Sequence, residues 1–252
     1  MSASASKTVR ELAVENPNAT RVFEKFGIDY CCGGKKPLME ACSAAGLPVD
    51  EVLQALEAAA EPASQPEYKL ASGSLAELIS HIVKIHHKFT REEITRLQGL
   101  LQKVCSVHGE NHPELLAIRE TFAGLAQELS LHLMKEENVL FPYIIRMEEA
   151  TLQRDPVLPP PFGTVQNPIR MMTQEHDGAG EALRSIRQAS REFRPPEDAC
   201  ISYRTLYQAL EGFEADLHQH IHLENNILFP RAVEMEQAAV GAAETSRLTA
   251  RG

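Results

Sequence analysis

Two copies of one motif decide the fold: HLMKEENVLFP from His132 to Pro142 and HIHLENNILFP from His220 to Pro230. In each copy a histidine precedes a glutamate, Glu136 or Glu224, by four residues. On an α-helix that spacing places the two side chains on one face, one turn apart. Each copy therefore offers an imidazole nitrogen and a carboxylate to the same point in space.

A further histidine precedes each copy at almost the same distance. His87 lies 45 residues before His132, and His176 lies 44 residues before His220. An internal repeat of this kind indicates a duplicated helical hairpin. Two helical hairpins form a four-helix bundle, in which facing helices direct nitrogen and oxygen ligands into a common interior. The sequence thus predicts an all-α fold whose bundle holds two metal ions between four histidines and two glutamates.

The chain of 252 residues is longer than such a bundle requires. We predict four segments: a small helical Cys-Cys domain at 1–58, a linker at 59–73, the bundle at 74–238 and a flexible tail at 239–252. The linker is assigned from its Pro, Ser and Ala content and its lack of an apolar period. A second proline-rich stretch, residues 149–168, is expected to be non-helical.

Composition argues against several classes of partner. A formal net charge of -10 opposes binding to phosphate backbones, and no dense block of lysine or arginine offsets it, so nucleic acid is not an expected partner. No apolar run approaches the roughly 18 to 20 residues that span a bilayer, and the N-terminus lacks the apolar core of a signal peptide. We therefore expect a soluble, cytoplasmic protein without a membrane partner. Its cysteines form no paired framework, which favours reduced thiols at Cys31, Cys32, Cys42, Cys105 and Cys200.

Two adjacent histidines, His86 and His87, compete for the position of the first metal ligand. At 100° per residue, His86 lies near the middle of the apolar stripe of its helix, whereas His87 lies at the flank. Periodicity alone therefore favours His86. Two later histidines in the same region, His108 and His112, are expected to be loop or capping residues, because a continuous helix would separate His108 from His87 by roughly 32 Å.

The last helix contains three histidines that are not equivalent. His220 alone stands four residues before Glu224, and it is the one that the first copy of the motif predicts. His218 and His222 are rotated by about 200° from it and are expected to face solvent.

The stretch IDYCCGGKKP contains two adjacent cysteines, Cys31 and Cys32, followed by two glycines and by Lys35 and Lys36. A flexible, electropositive turn of this kind would stabilise thiolates and lower the thiol pKa. A redox or metal-transfer role is one interpretation. The other is a pair of small residues packed inside a small helical domain, and the residues themselves leave both open.

The predicted ligands indicate which metal the bundle binds. Imidazole and carboxylate without thiolate suit iron, manganese or zinc, and carboxylates that can bridge favour a pair of ions. If an oxo group also bridges two six-coordinate irons, four histidines and two bridging glutamates leave one position open on each iron. Open positions indicate small-molecule chemistry or ion release, since a purely structural site would be saturated.

Six motifs follow one another along almost the whole chain: FGIDYCCGGKKPL, HHKFTREE, VHGENHPEL, HLMKEENVLFP, EHDGAGE and HIHLENNILFP. In these motifs the sequence resembles the di-iron iron-sulfur cluster repair proteins, also called repair-of-iron-centres proteins. The resemblance implies a small N-terminal module followed by a hemerythrin-like four-helix bundle with a non-heme di-iron centre. The proline-rich connection between the hairpins looks longer than is usual in that family.

The resemblance also indicates which histidine is the first ligand. In the family it stands before a three-residue spacer and an Arg-Glu pair, which here matches His87 followed by KFT and Arg91-Glu92. It therefore implies His87 instead of His86. The full ligand set that it implies is His87, His132, Glu136, His176, His220 and Glu224.

The family implies a stress-related protein that restores iron-sulfur clusters damaged by nitric oxide or peroxide, by supplying iron. Its implied partners are damaged iron-sulfur proteins, with nitric oxide or dioxygen as small ligands, and reduction of nitric oxide at the centre is an open enzymatic role. Cys31 and Cys32 would be redox or iron-transfer thiols. The alternative is a hemerythrin-like protein that binds or senses oxygen or nitric oxide without repair activity. The choice between monomer and homodimer is left open.

Overall fold

The predicted all-α fold is confirmed. The computed structural model describes residues 5–16, 18–59 and 72–249, and the side chains up to residue 241. Within these ranges no strand forms, and the β-type pairing found there is an isolated bridge between Thr8 and Pro37. Most of the predicted linker at 59–73 lies outside the described residues, and the predicted domain boundaries stay a prediction.

Short helices form the N-terminal part: α1 (Val9–Glu15), α2 (Ala19–Phe26), α3 (Leu38–Ala45) and α4 (Val49–Ala58). A capping box begins α1, because the Thr8 hydroxyl accepts from the Glu11 N–H while the Glu11 carboxylate accepts from the Thr8 N–H. Gly27 ends α2 with a φ of 64°, a left-handed conformation that glycine adopts without strain. The turn with the two adjacent cysteines therefore lies between two well-defined helices, α2 and α3.

Four long helical stretches follow, and three of them contain a π-helical segment. The first is α5 (Leu75–Ile82), π1 (Val83–His87) and α6 (Lys88–His108), and the second is α7 (Glu114–Lys135), π2 (Glu136–Leu140) and α8 (Phe141–Gln153). The third is α9 (Gln166–Ala189), and the fourth is α10 (Ile201–His222), π3 (Leu223–Leu228) and α11 (Phe229–Thr249).

Each π segment contains a residue of the predicted ligand set. π1 ends at His87, π2 begins at Glu136, and π3 contains Glu224. A π turn is a rare local insertion that occurs frequently at functional sites. The sequence predicts a kink at Pro142. The π segment π2 ends two residues before Pro142, and this proline has no N–H to donate to the preceding turn. The kink itself stays a prediction.

The connection between the second and third long stretches is shorter than predicted. The expectation that residues 149–168 are non-helical is wrong at both ends, because α8 continues to Gln153 and α9 begins at Gln166. The Glu148 carboxylate, buried in α8, accepts hydrogen bonds from the Leu75 and Ala76 N–H groups at 2.6 and 2.9 Å. This contact satisfies two N–H groups in the first turn of α5 and joins that turn to α8.

Contacts divide the chain into two compact units. The first comprises residues 1–80, 141–169 and 218–252, and the second comprises residues 81–140 and 170–217. In the first unit the buried rings of Phe23 and Tyr30 stack with centroids 6.2 Å apart. In the second unit the buried rings of Phe122 and Phe213 meet edge to face at 5.5 Å.

Candidate metal centre

Four of the predicted ligands are buried together in the second unit: His87, His132, Glu136 and His176. The two carboxylate oxygens of Glu136 lie 3.4 Å from His87 Nε2 and 3.4 Å from His132 Nε2, one oxygen facing each ring. His176 Nε2 lies 3.1 Å from His132 Nε2. One carboxylate thus stands between two imidazoles, and a third imidazole faces the same point.

The second copy of the motif supplies His220 and Glu224, both fully buried. Their side chains are one turn apart, with His220 Nε2 3.0 Å from Glu224 Oε1. The predicted i,i+4 pairing of imidazole and carboxylate therefore occurs in both copies. In both, the glutamate belongs to a π segment and the histidine to the preceding α-helix.

The six predicted ligands form two donor groups in which all four donor atoms lie within 4.8 Å of one another. The first group is His87, Glu136, His220 and Glu224, and the second is His132, Glu136, His176 and Glu224. Both glutamates belong to both groups. Two buried carboxylates side by side are costly unless cations neutralise them, so the donor set fits metal ions. The assignment of individual ligands stays a prediction.

Two acidic side chains orient the imidazole rings from outside. His87 Nδ1 donates to Glu137 at 2.7 Å, and His132 Nδ1 donates to Glu175 at 2.8 Å. With Nδ1 protonated, the Nε2 lone pair of each neutral ring points into the cluster, the arrangement that metal-binding histidines commonly have. The sequence suggests that Glu175 or Asp177 orients its neighbour His176. That expectation is wrong for both, since Glu175 holds the ring of His132 and Asp177 is exposed.

Both outer carboxylates are ionised. Burial would raise the pKa of Glu137, but hydrogen bonds from His87 and Arg91 outweigh it and lower the pKa below its usual value. Burial likewise opposes ionisation of Glu175, and hydrogen bonds from Lys135 and His132 lower its pKa. Each carboxylate is therefore a hydrogen-bond acceptor for an imidazole N–H.

His86 lies outside both donor groups. It is buried, as periodicity predicts, but its Nδ1 lies 3.0 Å from Asp216 Oδ1 and its ring meets that of His81 edge to face. The π turn that ends at His87 explains the discrepancy. An i→i+5 turn inserts an extra residue, which shifts the phase of the helical stripe and lets adjacent histidines both be buried.

The expectation that His222 faces solvent is wrong. Its side chain is buried, its Nδ1 lies 2.9 Å from Asn226 Nδ2, and its ring meets that of Tyr30 edge to face at 5.4 Å. Burial lowers the pKa of His222 to about 4, so the ring is neutral at pH 7. His218 is only half-buried and lies near the same tyrosine, with centroids 6.3 Å apart.

The cysteine turn is organised by a carboxylate. Asp29 Oδ1 accepts hydrogen bonds from the N–H groups of Cys31 and Cys32 and from the Cys31 thiol, and the two sulfurs are 3.8 Å apart. Donor atoms of these three residues also lie within 4.8 Å of one another. The hydrogen bond with Cys32, burial and the negative charge of Asp29 raise the pKa of the Cys31 thiol well above its usual value. The expected lowering of its pKa is therefore wrong, and Lys35 and Lys36 are exposed.

Asparagines of π3 hold this turn in place. Asn226 Nδ2 donates to the Tyr30 carbonyl at 2.9 Å, and Asn225 Nδ2 donates to the Cys31 carbonyl at 3.3 Å. Arg10 in turn donates to the Asn226 carbonyl at 3.1 Å. The cysteine turn thus rests on the same π segment that carries Glu224.

Sequence reasoning missed this contact. Asn226 has an identical counterpart, Asn138, in the first copy of the motif, but two neighbouring positions differ between the copies. The first copy has Met134 and Glu137 where the second has His222 and Asn225. The exchanges at these two positions are the available signal that another part of the chain covers this surface in the second copy.

Comparison with known proteins agrees with this geometry. Residues 78–232 match the family model described as the hemerythrin HHE cation binding domain, so the long helices define a protein of the hemerythrin class. Residues 5–60 match the ScdA_N model, described as a domain of unknown function. Within the part of the chain that the structure describes, no helix is both long and apolar enough to cross a membrane.

Curated relatives identify the particular family. A probable iron-sulfur cluster repair protein of Haemophilus influenzae is 36% identical over 230 residues, which cover 91% of this chain and 97% of the relative. The iron-sulfur cluster repair protein YtfE of Yersinia pseudotuberculosis is 34% identical over 232 residues, covering 92% and 98%. That of Pectobacterium carotovorum is 35% identical over 231 residues, covering 91% and 98%. The chain belongs to the iron-sulfur cluster repair proteins.

Proposed function

We propose that the protein repairs damaged iron-sulfur clusters and that a pair of non-heme irons, held by the six buried ligands, serves this repair. The observation that carries the di-iron assignment is that Glu136 and Glu224 belong to both donor groups. Two shared carboxylates are what a carboxylate-bridged metal pair requires in a helical bundle. Imidazole and carboxylate ligands without thiolate favour iron among the metals that such a site accepts. The repair role is supported by membership of the family.

When bound, the iron pair would supply iron for a damaged cluster and coordination positions for small ligands such as nitric oxide. The residues around it have separate tasks. Glu137 and Glu175 keep the rings of His87 and His132 in the tautomer that presents Nε2. Burial of all six ligands excludes bulk water, which strengthens the attraction between the carboxylates and a cation.

We further propose that Cys31 and Cys32 accept iron on its way to a damaged cluster, with Asp29 as a third donor. The three donor atoms already lie within 4.8 Å of one another. Although its raised pKa keeps the Cys31 thiol protonated at neutral pH, a coordinating metal displaces the thiol proton. The hydrogen bonds from Asn225 and Asn226 keep this group against the π segment of Glu224.

A repair assay on a Cys31→Ser, Cys32→Ser double variant tests the transfer role. We expect a several-fold slower recovery of a damaged iron-sulfur protein, because serine hydroxyls are poor ligands for iron compared with thiolates. The di-iron centre should stay loaded, and iron per chain is measured on the same samples.

The matched control is Cys105→Ser, which removes a thiol far along the chain but can keep the hydrogen bond from residue 105 to the Leu115 carbonyl. It should repair at the wild-type rate. Full repair by the double variant with an intact centre would exclude the transfer role, whereas loss of repair together with loss of iron would indicate a structural effect.

The proposal includes binding of nitric oxide at the iron pair, supported by a ligand set that leaves positions open on two irons. Rapid anaerobic mixing of the reduced, iron-loaded protein with nitric oxide should change its visible absorption spectrum. The same protein with Glu136→Gln and Glu224→Gln should show no such change. An unaltered wild-type spectrum, with two irons per chain measured, would mean that the centre is closed to small ligands.

A cytoplasmic location is also part of the proposal. No disulfide joins any of the five cysteines, which suits a reducing compartment. The expected clients, iron-sulfur proteins, are taken from the names of the relatives.

A further inference from the structure

Two surface cations, Arg91 and Lys135, follow predicted metal ligands by about one helical turn. Arg91 stands four residues after His87, and Lys135 stands three residues after His132, so each cation shares a helix face with a predicted ligand. The other two histidines of the ligand set have no lysine or arginine at either spacing. The cations are therefore a feature of the first hairpin, and each donor group contains one ring that a cation follows.

A carboxylate from the next long helical stretch joins Arg91 to His87. Glu137 Oε1 accepts from His87 Nδ1 at 2.7 Å and from Arg91 Nη2 at 2.8 Å, so one oxygen receives both donors. The His87 side chain is fully buried, whereas the Arg91 side chain is 49% exposed. A positive charge at the surface is thus connected through one carboxylate to a ring whose Nε2 lies 3.4 Å from Glu136.

Lys135 is arranged in the same way one helical stretch further on. Glu175, from α9, accepts from His132 Nδ1 through Oε2 at 2.8 Å and from the Lys135 ammonium group through Oε1. The His132 ring is buried, and the Lys135 side chain is 34% exposed. Both oxygens of Glu175 therefore accept a hydrogen bond, and this carboxylate also stands between a surface cation and a buried imidazole.

The cations oppose the effect of these carboxylates on the rings. A carboxylate on Nδ1 makes an imidazole a stronger electron donor to a metal at Nε2. A cation on the same carboxylate offsets part of its negative charge, and its own field disfavours the more highly charged metal ion. Removal of the cation should therefore stabilise Fe³⁺ relative to Fe²⁺, and removal of the carboxylate should do the opposite.

We propose that Arg91 and Lys135 are positioning residues of the metal centre, which act through Glu137 and Glu175 to raise its reduction potential and so favour the ferrous state. This inference rests on the proposed repair by a di-iron centre. Fe²⁺ is bound weakly among the first-row divalent ions, so a centre that favours the ferrous state gives up iron more readily. The two cations thereby connect the surface of the first hairpin with the ease of iron release.

Redox titration of iron-loaded Arg91→Gln and Lys135→Gln variants tests the role of the cations. In each variant we expect the ratio of Fe³⁺ to Fe²⁺ at a given potential to rise by roughly tenfold, the low end of the effects of groups behind a ligand. A tenfold rise lowers the midpoint potential of a one-electron step by about 59 mV. Glu137→Gln and Glu175→Gln should instead raise the midpoint potential, because each removes a negative charge.

Conservative exchanges separate charge from packing. Arg91→Lys and Lys135→Arg keep the positive charge and should retain the wild-type midpoint potential. All of these variants keep the six predicted ligands, and we expect Arg91→Gln and Lys135→Gln to hold two irons per chain.

Lys88 provides the matched control on the same helix. It directly follows His87 but lies 3.9 Å from the Glu92 carboxylate, with side chains 69% and 65% exposed. Lys88→Gln removes the same charge as Arg91→Gln, but its midpoint potential should equal that of the wild type, because solvent screens an exposed ion pair.

The inference is overturned if Arg91→Gln and Lys135→Gln keep the wild-type midpoint potential or lose iron. It is also overturned if the variants of the two cations and of the two outer carboxylates shift the potential in one direction, or if Lys88→Gln shifts it as far as Arg91→Gln. A wild type without two irons per chain would refute the proposed centre itself. Two irons with unchanged potentials would refute only the role of the cations.

Discussion

Replacement of Glu136 and Glu224 together by glutamine should leave the protein with less than about a tenth of the wild-type iron, since a neutral amide neither bridges two cations nor balances their charge. Iron per chain is measured after anaerobic loading and removal of unbound metal. Both carboxylates are buried and lie close together, so glutamine should not lower the melting temperature of the metal-free protein. Unchanged iron in the folded double variant would contradict the bridging assignment.

A matched pair of neighbouring histidines serves as the control. His87→Ala should lose iron, because its Nε2 faces the Glu136 carboxylate at 3.4 Å. His86→Ala removes a ring of the same size from the adjacent residue, whose partner is Asp216, and should keep the iron. The opposite pattern, with iron lost only from His86→Ala, would show that helical periodicity was the better guide to the ligand.

The duplicated motif carries enough information to predict the bundle and the set of residues that it brings together. An imidazole and a carboxylate four residues apart share a face on any helix, so the pairing of His220 with Glu224 follows from spacing alone. The starts of two helices can also be predicted from residues close together in the sequence. Thr8 with Glu11, and Ser74 with Glu77, make reciprocal hydrogen bonds three residues apart.

The π segments could not be predicted in this way. Side-chain periodicity assumes a constant 100° per residue, whereas a π turn changes the backbone hydrogen-bond pattern without an apolar signal of its own. This is why His86 looked like the better candidate, and why His87 needed the family resemblance to be chosen. The structure buries both rings and gives them different partners, Glu136 and Asp216.

Long-range contacts account for the other errors. The face of His222 looks solvated on an isolated helix, and it becomes buried only because Tyr30 packs against it from about 190 residues earlier in the chain. The thiol environment of Cys31 was misjudged for a related reason. Nearby lysines suggested a positive turn, but Asp29 folds back on the cysteines and its carboxylate sets the local charge.

Substitution of Asn226 by leucine should raise the rate of thiol labelling at Cys31 by roughly tenfold. The Asn226 side chain donates to the Tyr30 carbonyl at 2.9 Å, and leucine of similar size would leave that buried carbonyl without its donor. Such a loss costs about 1–3 kcal/mol, and each 1.4 kcal/mol raises the population of the open turn about tenfold. Labelling with iodoacetamide, followed by peptide mass spectrometry, gives the rate at each cysteine.

The duplicated motif supplies a matched control for this variant. Asn138 occupies the corresponding place in the first copy, and its side chain donates to the Met134 carbonyl at 2.7 Å on an exposed surface. Asn138→Leu should leave Cys31 labelling unchanged, and the exposed Cys200 provides a reference rate in every sample. If Asn226→Leu labels Cys31 no faster than wild type, or if Asn138→Leu accelerates it equally, the asparagine does not hold the cysteine turn against π3. A faster labelling of Cys31 in Asn226→Leu alone would show that the Asn226 contact controls access to the thiols. The neighbouring hydrogen bond from Asn225 to the Cys31 carbonyl is retained in both variants.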